Sequence, residues 1–384
     1  MLKPVTHITI NNLFFDFCHS WEFSDKWTDM TSGGKVTLPK NIYVVDTNIN
    51  RRTPLFGLNK NIGGFNSNPI IKKGDKIKIE AYYICWDENN NETFTPKKTI
   101  VEGYVTKVSA GTPIVLEFED NMHLLKQIPM KNQSFNASTS LESIFKDALL
   151  GTDLTVNFLT DTTIKFDNCL LSTENETVAQ FLARLRKDFF FKSYFRGNEL
   201  RIGSLIYIES EANEKIFEFQ QNIIKADLVY SRKDDVVLSA IASNHIEEKT
   251  GKFTKSGVEK TTKKRIEVLV TLKNDKLITK SVKKGEQPDP NIEGEKRTFF
   301  YPFAKTEQEL INLAEIDLRK YYYSGFKGKF TTFGTPYVQF GDNARIINKL
   351  LPEQNGLYKI KAVDYSSGID GYRQEITLDY RINE

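Results

Sequence analysis

The stretch from Gly325 to Glu384 constrains the fold most. Apolar residues alternate there, at Tyr358, Ile360 and Ala362 and again at Ile376, Leu378 and Tyr380, which is the period of half-buried strands. Gly334, Pro336, Gly341, Asp342, Gly356, Gly368 and Gly371 punctuate these strands at turn positions, where a positive or a fixed φ costs little. The expected product is a small antiparallel sheet able to close into a barrel. A related pattern runs near the N-terminus. Gly74-Asp75 opens one strand, Gly103 leads a second through Val108, Gly111-Thr112-Pro113 turns, and Ile114 to Asp120 closes the set. Gly341-Asp342, Tyr358 to Val363 and Ile376 to Tyr380 repeat that order. Two barrels of one kind in one chain are expected.

At 384 residues the chain exceeds what a single core usually serves, and two to four domains are expected. The abundance of Phe (27) and Tyr (16) favours strands. Basic and acidic residues nearly cancel, 53 against 50, whereas a dedicated nucleic-acid binder needs a basic excess to displace counterions. Cys18, Cys85 and Cys169 are odd in number and far apart, so neither a disulfide framework nor a metal spacing is indicated. The N-terminus lacks a signal-peptide apolar core, and no apolar run approaches the roughly 18 residues of a membrane span. A chain made in the cytoplasm is expected.

In order, residues 1–130 read as a first β-barrel domain, with an aromatic-rich strand pair or flap at Phe14 to Trp27. Residues 48–69 are rich in Asn and Gly and read as a long loop. Residues 131–210 read as an α/β domain. Thr139 with Glu142 and Thr173 with Glu176 are spaced as capping boxes, the second opening a helix that carries Val178, Phe181, Leu182, Leu185 and Phe189 on one face. An aromatic strand then turns at Arg196 to Glu199, with Asn198 expected in the left-handed conformation. Residues 211–384 read as a second β-barrel domain, with a helix at 306–323 opened by Thr306 and Glu309. Residues 246–300 read as a lysine-rich inserted hairpin with a flexible connection, and deleting 246–297 would spare the barrels but alter assembly. Its lysines suit nucleic acid or an acidic partner, but the interleaved Glu247, Glu248, Glu259 and Glu267 favour a solvated face.

Chemistry-bearing constellations are absent from the sequence. His7, His19, His123 and His245 are scattered, and no nucleophile elbow, phosphate loop or dinucleotide fingerprint occurs. Asp234 and Asp235 are adjacent, and neighbouring strand residues face opposite sides. No catalytic, cofactor-binding or metal residue is therefore assigned, and no enzyme is expected.

The order of the segments carries a resemblance. The helix Glu309 to Lys320 precedes Gly325 to Phe330, Gly334-Thr335-Pro336, Gly341-Asp342, Gly356 to Ile360 and Gly371-Tyr372. Upstream stand Phe181 to Leu185, Gly197 to Gly203, and Gly74-Asp75 to Asp120. In this order the chain resembles the late control D family of phage tail hub proteins, shared with type VI secretion spikes and related contractile injection systems. The resemblance covers most of the chain, least securely 1–70 and 246–300. It implies a homotrimer in which two barrels per subunit make a pseudo-sixfold ring. That ring would join the hexameric tail tube to a trimeric spike, with other baseplate proteins as neighbours and DNA or an effector passing through its channel. It implies assembly in the bacterial cytoplasm and a place in a virion tail or injection apparatus. No β-helix repeat or lysozyme-like segment is present, so a separate spike chain is expected and cell-wall cleavage is not. The alternative is a distal tail or baseplate protein whose barrels bind a receptor or glycan, which exposed aromatics within 48–69 would favour.

Overall fold

Alternating aromatic and β-branched residues favour pleated, half-buried strands over helices, and the chain follows: 55% of it is strand and 15% helix, a mostly β fold with helical insertions. The computed structural model describes residues 2–39, 43–47, 51–54, 71–109, 111, 113–135, 139–159, 171–189, 191–203, 207–208, 211–253, 259–282, 293–301 and 304–382. Apart from a short strand at Arg51–Pro54, the Asn/Gly-rich stretch at 48–69 lies outside these residues.

The strands before residue 120 are β1 (Leu2–Ile10), β2 (Leu13–Phe15), β3 (Ser20–Lys26), β4 (Gly33–Leu38), β5 (Tyr43–Asp46), β6 (Arg51–Pro54), β7 (Lys76–Trp86), β8 (Glu92–Phe94), β9 (Lys98–Val108) and β10 (Ile114–Glu119). After them come α1 (Met122–Leu125), β11 (Gln133–Phe135), α2 (Leu141–Ala148), β12 (Thr155–Phe158), β13 (Leu171–Thr173), α3 (Val178–Phe189), β14 (Lys192–Arg196) and β15 (Glu199–Gly203). Strands β16 (Glu214–Glu218) and β17 (Ile223–Ser231) lead to β18 (Leu238–Phe253), β19 (Glu259–Lys273), β20 (Lys276–Ser281), β21 (Glu295–Phe300) and α4 (Glu307–Tyr321). The chain ends in β22 (Gly325–Phe333), β23 (Asn343–Ile347), β24 (Gly356–Gly368) and β25 (Gly371–Ile382).

Two sets of six strands share one topology. The first is ordered β3-β4-β10-β9-β7-β1 and the second β17-β22-β25-β24-β23-β16. Taken in chain order, β1, β3, β4, β7, β9 and β10 correspond one to one with β16, β17, β22, β23, β24 and β25. The sets are hydrogen-bonded into one sheet because β3 pairs antiparallel with β24, Lys26 opposite Ala362 through Trp21 opposite Ser367.

The chain packs as two units, each drawn from stretches that are separated in sequence. Packing groups Met1–Ala226 with Lys329–Ala344 and Ile360–Thr377, and Asp227–Gly328 with Arg345–Lys359 and Leu378–Glu384.

Within the first unit, α3 carries its expected apolar face at Val178, Phe181, Leu182 and Leu185, the side chain of Phe189 lying outside what is described, and α2 carries a similar face. Leu141, Ile144 and Phe145 of α2 and Val178, Phe181, Leu182 and Leu185 of α3 share a core with Phe195, Leu200 and Ile202. Their caps differ from the expectation. The cap of α2 is Ser140, whose hydroxyl accepts from Ser143 N at 3.2 Å. The box of α3 is Thr177 with Gln180, reciprocal at 3.3 and 2.8 Å. Thr173 is instead buried, its hydroxyl donating to Lys131 O. At the β14–β15 turn Gly197 rather than Asn198 takes the positive φ, +60°.

In the second unit, β20-β19-β18-β21 form a four-stranded sheet. Leu238, Ala240 and Ala242 of β18 and Ile266, Val268, Val270 and Leu272 of β19 pack with Leu310, Ala314 and Leu318 of α4. Thr306 caps α4 as expected, accepting from Glu309 N at 3.2 Å. The hairpin within 246–300 is therefore part of a packed sheet, and most of the connection expected after it, at 283–292, lies outside the described residues. Its second strand builds the core under α4. Only the outer ribbon, beyond the residues that β20 and β21 flank, extends as two strands alone among the described residues.

Candidate assembly surfaces

The two Gly-Asp turns expected from the sequence superpose hydrogen bond for hydrogen bond. Gly74 has φ +91° and donates to Val105 O at 2.8 Å; Gly341 has φ +88° and donates to Ile360 O at 2.8 Å. Asp75 O accepts from Val105 N at 2.9 Å, and Asp342 O accepts from Ile360 N at 3.0 Å. The Asp75 carboxylate accepts from Lys72 N at 2.7 Å, and that of Asp342 from Gln339 N at 2.9 Å. Each aspartate thus satisfies a backbone donor two residues before its glycine, an Asx-type closure that fixes where the next strand departs. The pattern x-x-Gly-Asp carries this signal in both places.

Close backbone approaches match as well. A Cβ on Gly34 of β4 would lie 2.0 Å from Glu22 O of β3, and a Cβ on Gly328 of β22 would lie 2.3 Å from Asp227 O of β17. Neither contact is signalled by neighbouring residues, since a close approach between strands leaves no local trace in the sequence.

The other expected turn residues divide. Gly371 takes φ +83° in the β24–β25 hairpin. Gly334 begins the bend after β22, where a Cβ would lie 1.9 Å from the Tyr372 ring. Pro336 lies in the same bend, held by the fully buried Gln374, whose amide donates to Phe333 O at 2.9 Å and Pro336 O at 3.0 Å and accepts from Val338 N at 3.1 Å. Gly356 opens β24 beside the Arg381 side chain. Gly103 is not at a turn. It sits inside β9, where a Cβ would lie 2.0 Å from Glu119 O. Gly103→Ala is accordingly expected to destabilise by about 2–3 kcal/mol through backbone displacement. Gly341→Ala meets nothing nearer than 3.6 Å and is expected to cost about 1–2 kcal/mol, for conformation alone. Urea titrations of the two variants check the order; equal losses would show that the approach at Gly103 relaxes freely.

An acidic pair meets at Ser32, with Asp120 buried and Asp25 half-buried. Ser32 donates its hydroxyl to Asp25 at 3.2 Å and its N–H to Asp120 at 3.2 Å, and Asp120 also accepts from Met122 N at 3.0 Å. Burial pushes the Asp120 carboxyl up to about 7, against the two N–H bonds and with the help of Asp25 and Glu119. Burial likewise raises Asp25, opposed by the Arg196 guanidinium at 3.6 Å. Arg196 also donates to Phe340 O at 2.6 Å and covers that ring. These carboxyls face backbone donors, Ser32 and Arg196, an arrangement that holds loops rather than one that flanks a substrate bond. His7 stacks edge-on to Phe14 and Tyr82, and His123 lies against Tyr104 and meets Gln127 at 2.7 Å. Burial lowers both imidazoles. Among the described residues no group of metal-ligating side chains gathers, and no helix is long and apolar enough to cross a membrane.

No protein-family model and no curated protein matches the sequence. Solved structures do. The 43 kDa tail protein of prophage MuSo2 from Shewanella oneidensis aligns over 98% of each chain with a TM-score of 0.54 at 12% identity. The fold is that of a prophage tail protein. A tail protein from Neisseria meningitidis MC58 aligns over 98% of this chain and 96% of its own, with a TM-score of 0.53 at 10% identity.

Within this tail-protein fold the second unit holds a cavity of about 460 Å³. Its cations are already engaged. Arg381 donates to Ser324 O at 2.6 Å and Asn355 O at 3.0 Å, beyond the C-terminus of α4, and Lys233 pairs with Asp275 at 2.7 Å. Guanidinium and ammonium groups near a helix C-terminus satisfy carbonyls and oppose the dipole, so the cavity reads as a brace.

Proposed function

We propose that the chain is a structural hub of a phage tail or phage-like injection apparatus. Three copies form a ring holding six strand sets, which joins a sixfold tail tube to a threefold spike. What supports this reading above all is the internal duplication, with six strands in one order twice and the Gly74-Asp75 and Gly341-Asp342 turns closed by the same four hydrogen bonds. A chain with two equivalent sets presents sixfold-like geometry from three subunits, the fewest that reconcile the two symmetries. The work of such a hub is geometric. Paired strands give a stiff annulus, and catalysis has no part in it. Tube, spike and neighbouring baseplate proteins are its partners, and a virion tail or injection particle its place. Light scattering across a dilution series tests the reading. The expected mass is about three times the 44.2 kDa of one chain. A mass of one chain at every concentration, with or without a spike protein, would overturn it.

A further inference from the structure

One part of the four-stranded sheet continues past the core under α4. Strands β18 and β19 stay paired from Asn244 opposite Ile266 to Lys249 opposite Thr261, and again at Phe253 opposite Glu259 after a register shift. The neighbouring strands stop short of this ribbon. β21 pairs with β18 only as far as Ser243, and the last bond from the β20 side runs from Val282 N to Glu267 O of β19. From there no third strand lies beside the two among the described residues. A strand of this length reaches about 30 Å, and a two-stranded ribbon alone is marginal in water. Where its surface is described it is open, at Gly251, Thr262, Lys264 and Arg265.

The net charge of the chain is concentrated on these two strands. Residues 244–253 and 259–266 hold five lysines and Arg265 against Glu247, Glu248 and Glu259. The whole chain has 53 basic and 50 acidic residues, so everything outside the two strands holds 47 of each and is neutral. We propose that the ribbon is an arm that docks on the acidic surface of another protein. A second copy does not match it, because outside the ribbon a copy is neutral. A phosphate backbone does not match it either. Such a backbone is held by neutralising successive phosphates, and here three glutamates interrupt the cations, with Glu247 directly opposite Lys263. An acidic protein surface presents spaced carboxylates together with cations of its own, which the glutamates can meet. Mixed charge then fixes register and partner choice as well as supplying attraction. Arg265 pairs with Glu267 at 2.8 Å at the root of the arm, which leaves the lysines to make the contact. The arm belongs to a single chain and does not depend on the ring.

The test is fluorescence anisotropy of fluorescein-labelled polyglutamate, an acidic polypeptide without phosphate or lipid, titrated with the full-length chain at physiological salt. Lys249, Lys252, Lys260 and Lys263 are changed to Gln in one variant and to Arg in a second. The intact chain and the Arg variant are expected to bind alike, and the Gln variant about tenfold more weakly, as the loss of four exposed charge pairs implies. Equal binding by the Gln variant, or no binding by the intact chain, would overturn the arm as a docking site. A labelled DNA duplex and phosphatidylglycerol vesicles are titrated alongside. Tighter binding to either, lost in the Gln variant, would overturn the choice of an acidic protein. Slow amide exchange across α4 is expected in all three chains, because the four lysines lie outside its core, and it guards against misfolding.

Discussion

Excising residues 246–297 is expected to melt helix α4 together with the sheet that supports it. The excision removes Ile266, Val268, Val270 and Leu272, all 8% exposed or less, from beneath Leu310, Ala314 and Leu318. Each large buried aliphatic contributes about 2–4 kcal/mol, and four together rival the roughly 5–15 kcal/mol that stabilise a whole domain. Helix α4 would then carry an uncovered apolar face, and a 15-residue helix is marginal alone. Amide exchange across Glu307–Tyr321 reads the result, with protection expected to vanish. Helical amides as slow as in the intact chain would show that α4 is supported from elsewhere. Replacing only residues 247–263 by a two-residue turn leaves this core whole, and α4 protection is then expected to persist.

The second large effect is a pH dependence centred on Asp120. Its carboxyl is pushed up to about 7 when folded, whereas an unfolded aspartate titrates near 3.9. Between those values the folded chain holds a proton that the unfolded chain releases. Stability from this group is therefore highest in acid and falls as pH rises through the window. Between pH 5 and pH 7.5 the loss amounts to about 2–3 kcal/mol. Asp120→Asn removes the titration, so the wild-type chain should lose that amount relative to the variant across the interval, read by urea unfolding at each pH. A difference that stays constant with pH would place the Asp120 titration outside this window. Comparing the two chains cancels the opposite contributions of His7 and His123, whose lowered basicity favours the folded state as pH rises.

What the sequence disclosed depended on the range over which each signal acts. Alternation at Tyr358, Ile360 and Ala362 is written in consecutive residues, and so is x-x-Gly-Asp, because the aspartate bonds to a donor three residues away. Thr306 with Glu309 was legible for the same reason. Thr139 and Thr173 misled because stronger local competitors, Ser140 and Thr177, stand one and four residues on. The grouping of the packed units was not legible, since β3 finds β24 across more than 300 residues. The lysine-rich sequence around β19 hid how deeply Ile266, Val268, Val270 and Leu272 are buried. Gly103 looked like a turn because glycine marks turns and close approaches alike, and only Glu119 O tells them apart.

The loops between equivalent strands are where the two halves differ most in length. The step from β3 to β4 takes six residues, and the equivalent step from β17 to β22 takes ninety-three, enough for a sheet and a helix. Loop-closure entropy grows only logarithmically, so that enlargement costs about 2 kcal/mol if treated as chain length alone. A chain with two equivalent strand sets can thus carry a whole accessory module at one of two equivalent steps without moving a strand. Any ring built from such chains carries that module on every second position, so its decoration is threefold while its frame stays sixfold.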